Sequence, residues 1–284
     1  MTTATSAIEP RLLNALLPLS GRRVQAGDIE LFVTDSDTDG IPLVFLHGLG
    51  WTHGLWRHQR TRYGQRWRMI AGDNRGHGQS DTPPGPYTLE GMARDWLAAL
   101  DTMGIDRFVL VGFSQGSRVA QLMATMAPER LHALVVIGAG CRSNATGSEV
   151  MARRIEAMRT SPLEGAKAAM ASIFSPAFME REAAFMAHFL AERAQQPVEP
   201  LIASMQALQP AGDLRAALAR VTCPVLVIVG DADRLCPVDA ARELADALPH
   251  AEFHVVPDAG HMVTIEQPDA IDALLDAFLD KQLA

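Results

Sequence analysis

The chain has 284 residues, of which 48% are hydrophobic, and a formal net charge of −8 at pH 7. This size and composition suffice for one large domain, or for one domain with an insertion. The negative charge, with no basic stripe to neutralise phosphates, argues against nucleic acids and anionic membranes as partners.

The cysteines are too few and too scattered to suggest a metal site or a disulfide framework. Cys141, Cys223 and Cys236 show neither kind of spacing. This favours a reducing compartment, and therefore a cytoplasmic protein without a metal or other cofactor. No apolar run approaches the roughly 20 residues that cross a bilayer.

Residues 1–24 are predicted to be an N-terminal extension. The leucines at 12–17 could imitate the apolar part of a signal peptide, but Asn14 and Pro18 interrupt them and no small-residue cleavage site follows. We expect a helix here that packs on the body of the protein or on a second subunit.

Short, nearly continuous apolar runs recur along the chain and predict buried strands. Helical patterns lie between them, for example at residues 88–103, where apolar side chains recur at spacings of three and four after the N-cap Thr88, and at residues 268–281. The alternation predicts an α/β fold with a mostly parallel sheet covered by helices on both faces. The predicted strands are residues 42–46, 68–71, 108–111, 133–137, 225–229 and 252–256.

The connection between the fourth and fifth of these strands is much longer than a crossover requires. Its Ala- and Met-rich stretches, such as residues 166–173 and 182–193, favour helices and show no strand pattern. We therefore predict a helical cap at residues 140–215, inserted over the carboxyl edge of a core made of residues 25–139 and 216–284.

The sequence Gly112-Phe113-Ser114-Gln115-Gly116 follows a predicted strand and precedes a predicted helix. Strand, G-x-S-x-G and helix in this order are typical of a nucleophile elbow, in which small residues permit a tight turn that exposes the serine. Ser114 is therefore the candidate nucleophile, with the positive end of the helix dipole directed at the reaction.

A serine nucleophile needs a general base and an acid that orients it, and both should follow later strands. His261 lies in a Gly-flanked loop just after the last strand, which predicts the general base. Asp233 and Asp231 compete for the acid in the loop after the preceding strand, and Asp258 is a weaker alternative. Asp231 could equally cap its own turn, so spacing favours Asp233.

An acyl-transfer intermediate also needs backbone N–H donors for its oxyanion. The expected donors are Gln115, after the nucleophile, and Leu49, in the Gly-rich loop after the first predicted strand. In the same loop His47 is expected to hold the backbone by a side-chain hydrogen bond. Residues 73–80 hold one Asp and one His, too few for zinc, and predict a hydrogen-bonded turn.

Together these motifs resemble those of the α/β-hydrolase superfamily from about Val24 onwards, and most of all the 3-oxoadipate enol-lactonases and related small esterases. The resemblance implies that the Gly-x-x-Asp-x-x-x-Pro aspartate, here Asp233, is the triad acid. Gln115 departs from the methionine usual after the nucleophile in that group, while its N–H donor is kept. The matching motifs are His47-Gly48, Asp73-x-Arg75-Gly76-His77-Gly78-x-Ser80, Gly112-x-Ser114-x-Gly116, Gly230-x-x-Asp233-x-x-x-Pro237 and Gly260-His261.

The sequence thus predicts a cofactor-independent serine hydrolase that cleaves a small carboxylic ester or lactone through an acyl-enzyme. Arg142, just beyond a predicted strand, is the candidate to bind an anionic substrate. The alternatives are a cofactor-free oxygenase or perhydrolase on the same scaffold, and a non-catalytic ligand-binding protein. Whether the protein forms a homo-oligomer is left open.

Overall fold

A computed structural model describes residues 8–143, 145–209 and 212–283. Eight strands form one sheet in the order β1-β2-β4-β3-β5-β6-β7-β8. The pairs β1–β2 and β2–β4 are antiparallel, and all other pairs are parallel. The strands are β1 (Arg22–Ala26), β2 (Ile29–Asp35), β3 (Pro42–Leu46), β4 (Arg68–Gly72), β5 (Phe108–Phe113), β6 (Leu131–Ile137), β7 (Val225–Gly230) and β8 (Ala251–Val256).

Thirteen α-helices lie in the part of the chain that the structure describes. They are α1 (Pro10–Asn14), α2 (Arg57–Tyr63), α3 (Leu89–Thr102), α4 (Gln115–Met126), α5 (Ala145–Thr160), α6 (Pro162–Ile173), α7 (Pro176–Arg181), α8 (Ala183–Arg193), α9 (Val198–Leu208), α10 (Arg215–Leu218), α11 (Val238–Asp246), α12 (Val263–Glu266) and α13 (Pro268–Leu283). Two 3₁₀ helices, His53–Trp56 and Pro128–Arg130, complete the helical elements described. Within this part no helix is long and apolar enough to cross a membrane.

The mostly parallel sheet with helices on both faces confirms the predicted fold class. Alternate side chains of the central strands enter two different apolar clusters, as the period of two in a strand requires. One cluster joins the sheet to α3, α4 and α11, and the other joins it to α2 and α13. Thr88 is the N-cap residue of α3, as predicted, since its Oγ1 accepts a hydrogen bond from the Gly91 N–H.

The hairpin formed by β1 and β2 was not predicted. The two strands are antiparallel, with Ala26 paired to Ile29 next to the turn and Arg22 paired to Val33 at the far end. Gly27, in the turn, has a φ of +69°. Burial alternates along the short edge strand β1, so it lacks the continuous apolar run that marks the central strands. The first strand of the sheet therefore begins at Arg22.

The long connection between β6 and β7 is helical in its described residues, from α5 to α10, and holds no strand there. It touches the sheet's loops at several points, for example where the Met262 N–H donates to the Ile173 carbonyl. At the other end of the chain, α1 packs on the body through the buried Leu12. The division into extension, core and cap stays a prediction.

Candidate active site

Ser114 occupies a sharp turn between β5 and α4. Its φ of +54° and ψ of −116° lie outside the regions that side-chain-bearing residues usually adopt, a strain typical of functional turns. The flanking glycines are required by space: a Cβ at Gly112 would lie 2.5 Å from the Gly116 carbonyl oxygen and 2.6 Å from the Ser117 Cα. The turn thus has the form expected for a nucleophile elbow.

His261 connects the serine to an acid. Its Nε2 lies 2.8 Å from Ser114 Oγ, and its Nδ1 lies 2.8 Å from Asp233 Oδ2. Both His261 and Asp233 are buried. The structure therefore brings together the three residues that the sequence singled out.

The two competing aspartates have different contacts. Asp233 Oδ1 accepts hydrogen bonds from the N–H groups of Leu235 and Cys236, each at 2.8 Å, which leaves Oδ2 for the histidine. Asp231 Oδ1 instead accepts the Ala259 N–H at 3.1 Å and so joins its own loop to the loop of His261. Asp258 makes no contact with His261 among the hydrogen bonds of the described residues.

The loop after β3 packs against the elbow. A Cβ on Gly116 would come within 2.6 Å of the His47 carbonyl oxygen, and a Cβ on Gly48 would lie 3.1 Å from the Ser114 Cβ. The backbone N–H groups of Leu49 and Gln115 donate to no acceptor within the described ranges. Their role as oxyanion donors stays a prediction.

His47 holds this loop, as the sequence suggested. Its Nε2 accepts the Asn74 N–H at 3.0 Å, and its Nδ1 lies 2.8 Å from the Gly48 carbonyl. Burial, with a smaller contribution from the neighbouring His77, lowers the pKa of His47 to about 3. The ring is therefore neutral at pH 7, and an Nδ1–H that donates to Gly48 leaves Nε2 as an acceptor.

The turn at residues 73–80 is organised by hydrogen bonds to Asp73. Its carboxylate accepts the N–H groups of His53 and Gln79, and its Oδ1 lies 2.9 Å from His53 Nδ1. Among the described residues, no group of three or more His, Cys, Asp or Glu side chains could hold a metal ion.

Arg142 borders the cavity that contains Ser114 and His261. Its Nε lies 2.9 and 3.0 Å from the two carboxylate oxygens of Glu243, and half of its side chain is exposed. The guanidinium thus already has an anionic partner at the surface, and its role in substrate binding stays a prediction.

Two contributors to the site escaped the sequence reasoning. The side-chain amide of Gln115 donates to the Ser204 carbonyl at 3.0 Å and so ties the elbow to α9. The buried Glu266 accepts the Ser175 N–H at 3.3 Å and ties the segment after His261 to the start of α7. Both contacts join a segment that follows a strand of the sheet to the helical region between β6 and β7. No local pattern in the sequence indicates them, because the partners are far apart along the chain.

Comparison with known proteins gives consistent matches over almost the whole chain. The sequence profile of the alpha/beta hydrolase family matches residues 43–274. The chain is 29% identical to 3-oxoadipate enol-lactonase 2 of Acinetobacter baylyi, over 90% of this chain and 95% of that protein. It is 31% identical to the provisionally named carbamate hydrolase RutD of Cronobacter turicensis, over 88% and 96% of the two chains.

Solved structures give the same result. The enol-lactonase of Burkholderia xenovorans superposes with a TM-score of 0.84 and 28% identity, covering 91% of this chain and all of that one. A malate-bound thermophilic esterase of Thermogutta terrifontis also has a TM-score of 0.84, with 26% identity, covering 93% and 99% of the two chains.

Proposed function

Because the chain belongs to the alpha/beta hydrolase family, we propose that it is a serine hydrolase that cleaves small carboxylic esters or lactones without a cofactor. The observation that carries this proposal is the hydrogen-bonded series from Ser114 Oγ through His261 to Asp233. The similarity to an enol-lactonase and to an esterase supports carboxylic esters and lactones as the substrate class.

In the proposed reaction Ser114 Oγ attacks the carbonyl carbon while His261 Nε2 accepts the hydroxyl proton. Asp233 stabilises the imidazolium that forms, and the N–H groups of Leu49 and Gln115 bind the oxyanion. Collapse of the tetrahedral intermediate breaks the acyl–oxygen bond, and His261 returns its proton to the leaving oxygen. A water molecule activated by His261 then attacks the acyl-enzyme and releases the acid.

The test combines turnover with labelling of the nucleophile. We expect the wild-type protein to hydrolyse a series of short p-nitrophenyl esters and lactones, and a fluorophosphonate to modify one serine, identified by peptide mass as Ser114. Ser114→Ala should lose both reactions while keeping its circular dichroism spectrum, with kcat lower by about 10⁴-fold or more.

Modification of another serine, or a Ser114→Ala protein that keeps more than a few per cent of the activity, would contradict the proposal.

A second candidate is hydrolysis of a carbamate, favoured by the similarity to the RutD protein. It uses the same acyl chemistry, so a carbamate belongs in the substrate series. Oxygenase, perhydrolase and pure binding functions remain the alternatives if nothing in the series is turned over.

A further inference from the structure

Two glutamine side chains join the helical region between β6 and β7 to the loops that carry the proposed oxyanion donors. Gln115 follows the nucleophile, and its Nε2 donates to the Ser204 carbonyl of α9 at 3.0 Å. Gln196 lies just before α9, and its Nε2 donates to the Gly50 carbonyl at 2.7 Å. One hydrogen bond is donated from the core to α9, and the other is donated from the turn before α9 to the core.

The loop of the second proposed donor, Leu49, packs closely on the same helix. A Cβ added to Gly50, the next residue, would lie 3.4 Å from Gln196 Oε1 and 3.5 Å from Leu201 Cδ1. Leu49 itself belongs to an apolar cluster to which α9 contributes Leu201 and Met205. The position of the Leu49 N–H therefore depends on where α9 and the turn before it lie.

The Gln115 amide is not explained by stability. Gln115 is 1% exposed, and within the described ranges its Oε1 is buried without a hydrogen-bond partner, as is Ser204 Oγ. A buried polar atom without a partner costs free energy, because it loses its hydrogen bonds to water and gains none in return. An apolar side chain of similar length would avoid this cost and would lose only the contact with α9. The amide at this position therefore indicates a role for that contact.

Gln115 links the position of α9 to the reaction over a very short distance. It is the first residue of α4, so the side chain that contacts α9 and the N–H proposed to bind the oxyanion belong to the same residue. Such a donor must lie about 2.7 to 3.1 Å from the oxyanion in the transition state. A displacement of a fraction of an ångström, caused by the loss of the amide contact, is therefore enough to weaken catalysis.

We propose that Gln115 and Gln196 are positioning residues, which use α9 to set the distance between the N–H groups of Gln115 and Leu49. They act on the transition state and not on substrate binding, because the charge of the oxyanion develops only as Ser114 attacks the carbonyl. This inference rests on the proposed hydrolase function and on its predicted oxyanion donors.

The first test separates kcat from KM. Gln115→Met and Gln196→Met keep a side chain of similar length and remove the amide N–H. With p-nitrophenyl valerate we expect kcat to decrease about 10- to 100-fold in each variant, since a misplaced donor is weaker but still present. KM should stay within about twofold of the wild-type value, because an equal decrease in kcat and kcat/KM identifies an interaction made only in the transition state.

A transition-state analogue gives a readout that a general structural role would not change. In 1,1,1-trifluorohexan-2-one the carbonyl carries the same four-carbon chain as in the valerate ester. Ser114 Oγ adds to the carbonyl carbon, its proton passes to His261, and the electron pair of the carbonyl double bond moves to the oxygen, with no leaving group. In each variant the inhibition constant should increase by the factor by which kcat/KM decreases.

The matched control is Gln195→Met. Gln195 precedes Gln196, but it is exposed and its Nε2 donates to the Ala191 carbonyl of α8 at 3.1 Å. This variant loses the same amide and should keep kcat, KM and the inhibition constant of the wild-type protein. In Gln115→Met the Tm should also be unchanged or higher, because the unpaired Oε1 is removed.

The outcomes distinguish this inference from the proposed function. Ester hydrolysis by the wild-type protein with unchanged kcat and inhibition constants in both glutamine variants would overturn the inference alone. So would a loss of kcat/KM that comes entirely from KM, because the amides would then bind the substrate, or a Gln115→Met protein that loses Tm and activity but keeps its inhibition constant. If the wild-type protein neither hydrolyses the ester nor binds the ketone, the proposed function fails and the inference fails with it.

Discussion

At the scale of single residues, the two oxygens of the Asp233 carboxylate have different tasks. Oδ1 is held by two backbone N–H groups, and Oδ2 meets His261 Nδ1. In Asp233→Asn, the amide group can donate to Nδ1 and favour the wrong tautomer of the imidazole. We expect kcat to decrease by roughly 10³ to 10⁴-fold with little change in KM, measured on the best p-nitrophenyl ester.

Asp231→Asn is the control for this substitution. Its remaining amide oxygen can still accept the Ala259 N–H, so the effect on kcat should stay within a fewfold. The opposite ranking of the two variants would make Asp231 the acid. The sequence could only rank these residues, because both follow β7 in one short loop and the path of that loop decides which carboxylate reaches the histidine.

At the scale of elements, the turn between β5 and α4 requires the backbone of Gly112 to lie very close to the backbone of Gly116 and Ser117. An added methyl group would meet the backbone of Gly116 and Ser117, which cannot move without displacing the helix. We expect Gly112→Ala to lower the free energy of unfolding by about 3 kcal/mol or more in urea denaturation, at the upper end of the usual cost of overpacking.

Gly212→Ala is the matched control, since an added Cβ there would have no heavy atom within 4 Å. It should change the free energy of unfolding by less than about 0.5 kcal/mol. Equal effects of the two substitutions would mean that the elbow can relax. This requirement for glycine is local, which explains why a short motif in the right strand–helix context sufficed to find the turn.

At the scale of the whole molecule, the parallel sheet was predictable because strands buried on both faces require nearly continuous apolar runs. The β1–β2 hairpin was not, because its edge strand alternates between exposed and buried residues. The packing of the helices between β6 and β7 could not be predicted from the sequence either. The burial of Arg154 and Arg193, and the contacts of Gln115 and Glu266, arise only when segments distant in the sequence come together.

The burial of two histidines predicts how the free energy of unfolding depends on pH. His47 and His77 are both buried, with ring centres 5.1 Å apart, and burial lowers the pKa of His77 to about 4. Both rings are neutral in the folded protein at pH 5, whereas in the unfolded chain a histidine binds a proton below about pH 6.5. Unfolding therefore takes up protons in this range, and the free energy of unfolding must decrease as the pH is lowered.

We expect this loss to begin near pH 6.5 and to reach on the order of 2 to 3 kcal/mol for each histidine at pH 4. His47→Gln keeps an acceptor for the Asn74 N–H but removes one titrating ring. Urea denaturation between pH 7 and 4.5 should therefore show a shallower dependence on pH for this variant, whatever its stability at pH 7. His250→Gln, which removes an exposed histidine, is the matched control. An unchanged slope in His47→Gln would mean that the ring is already protonated in the fold, and that its Nε2 cannot hold the loop carrying Leu49 as an acceptor.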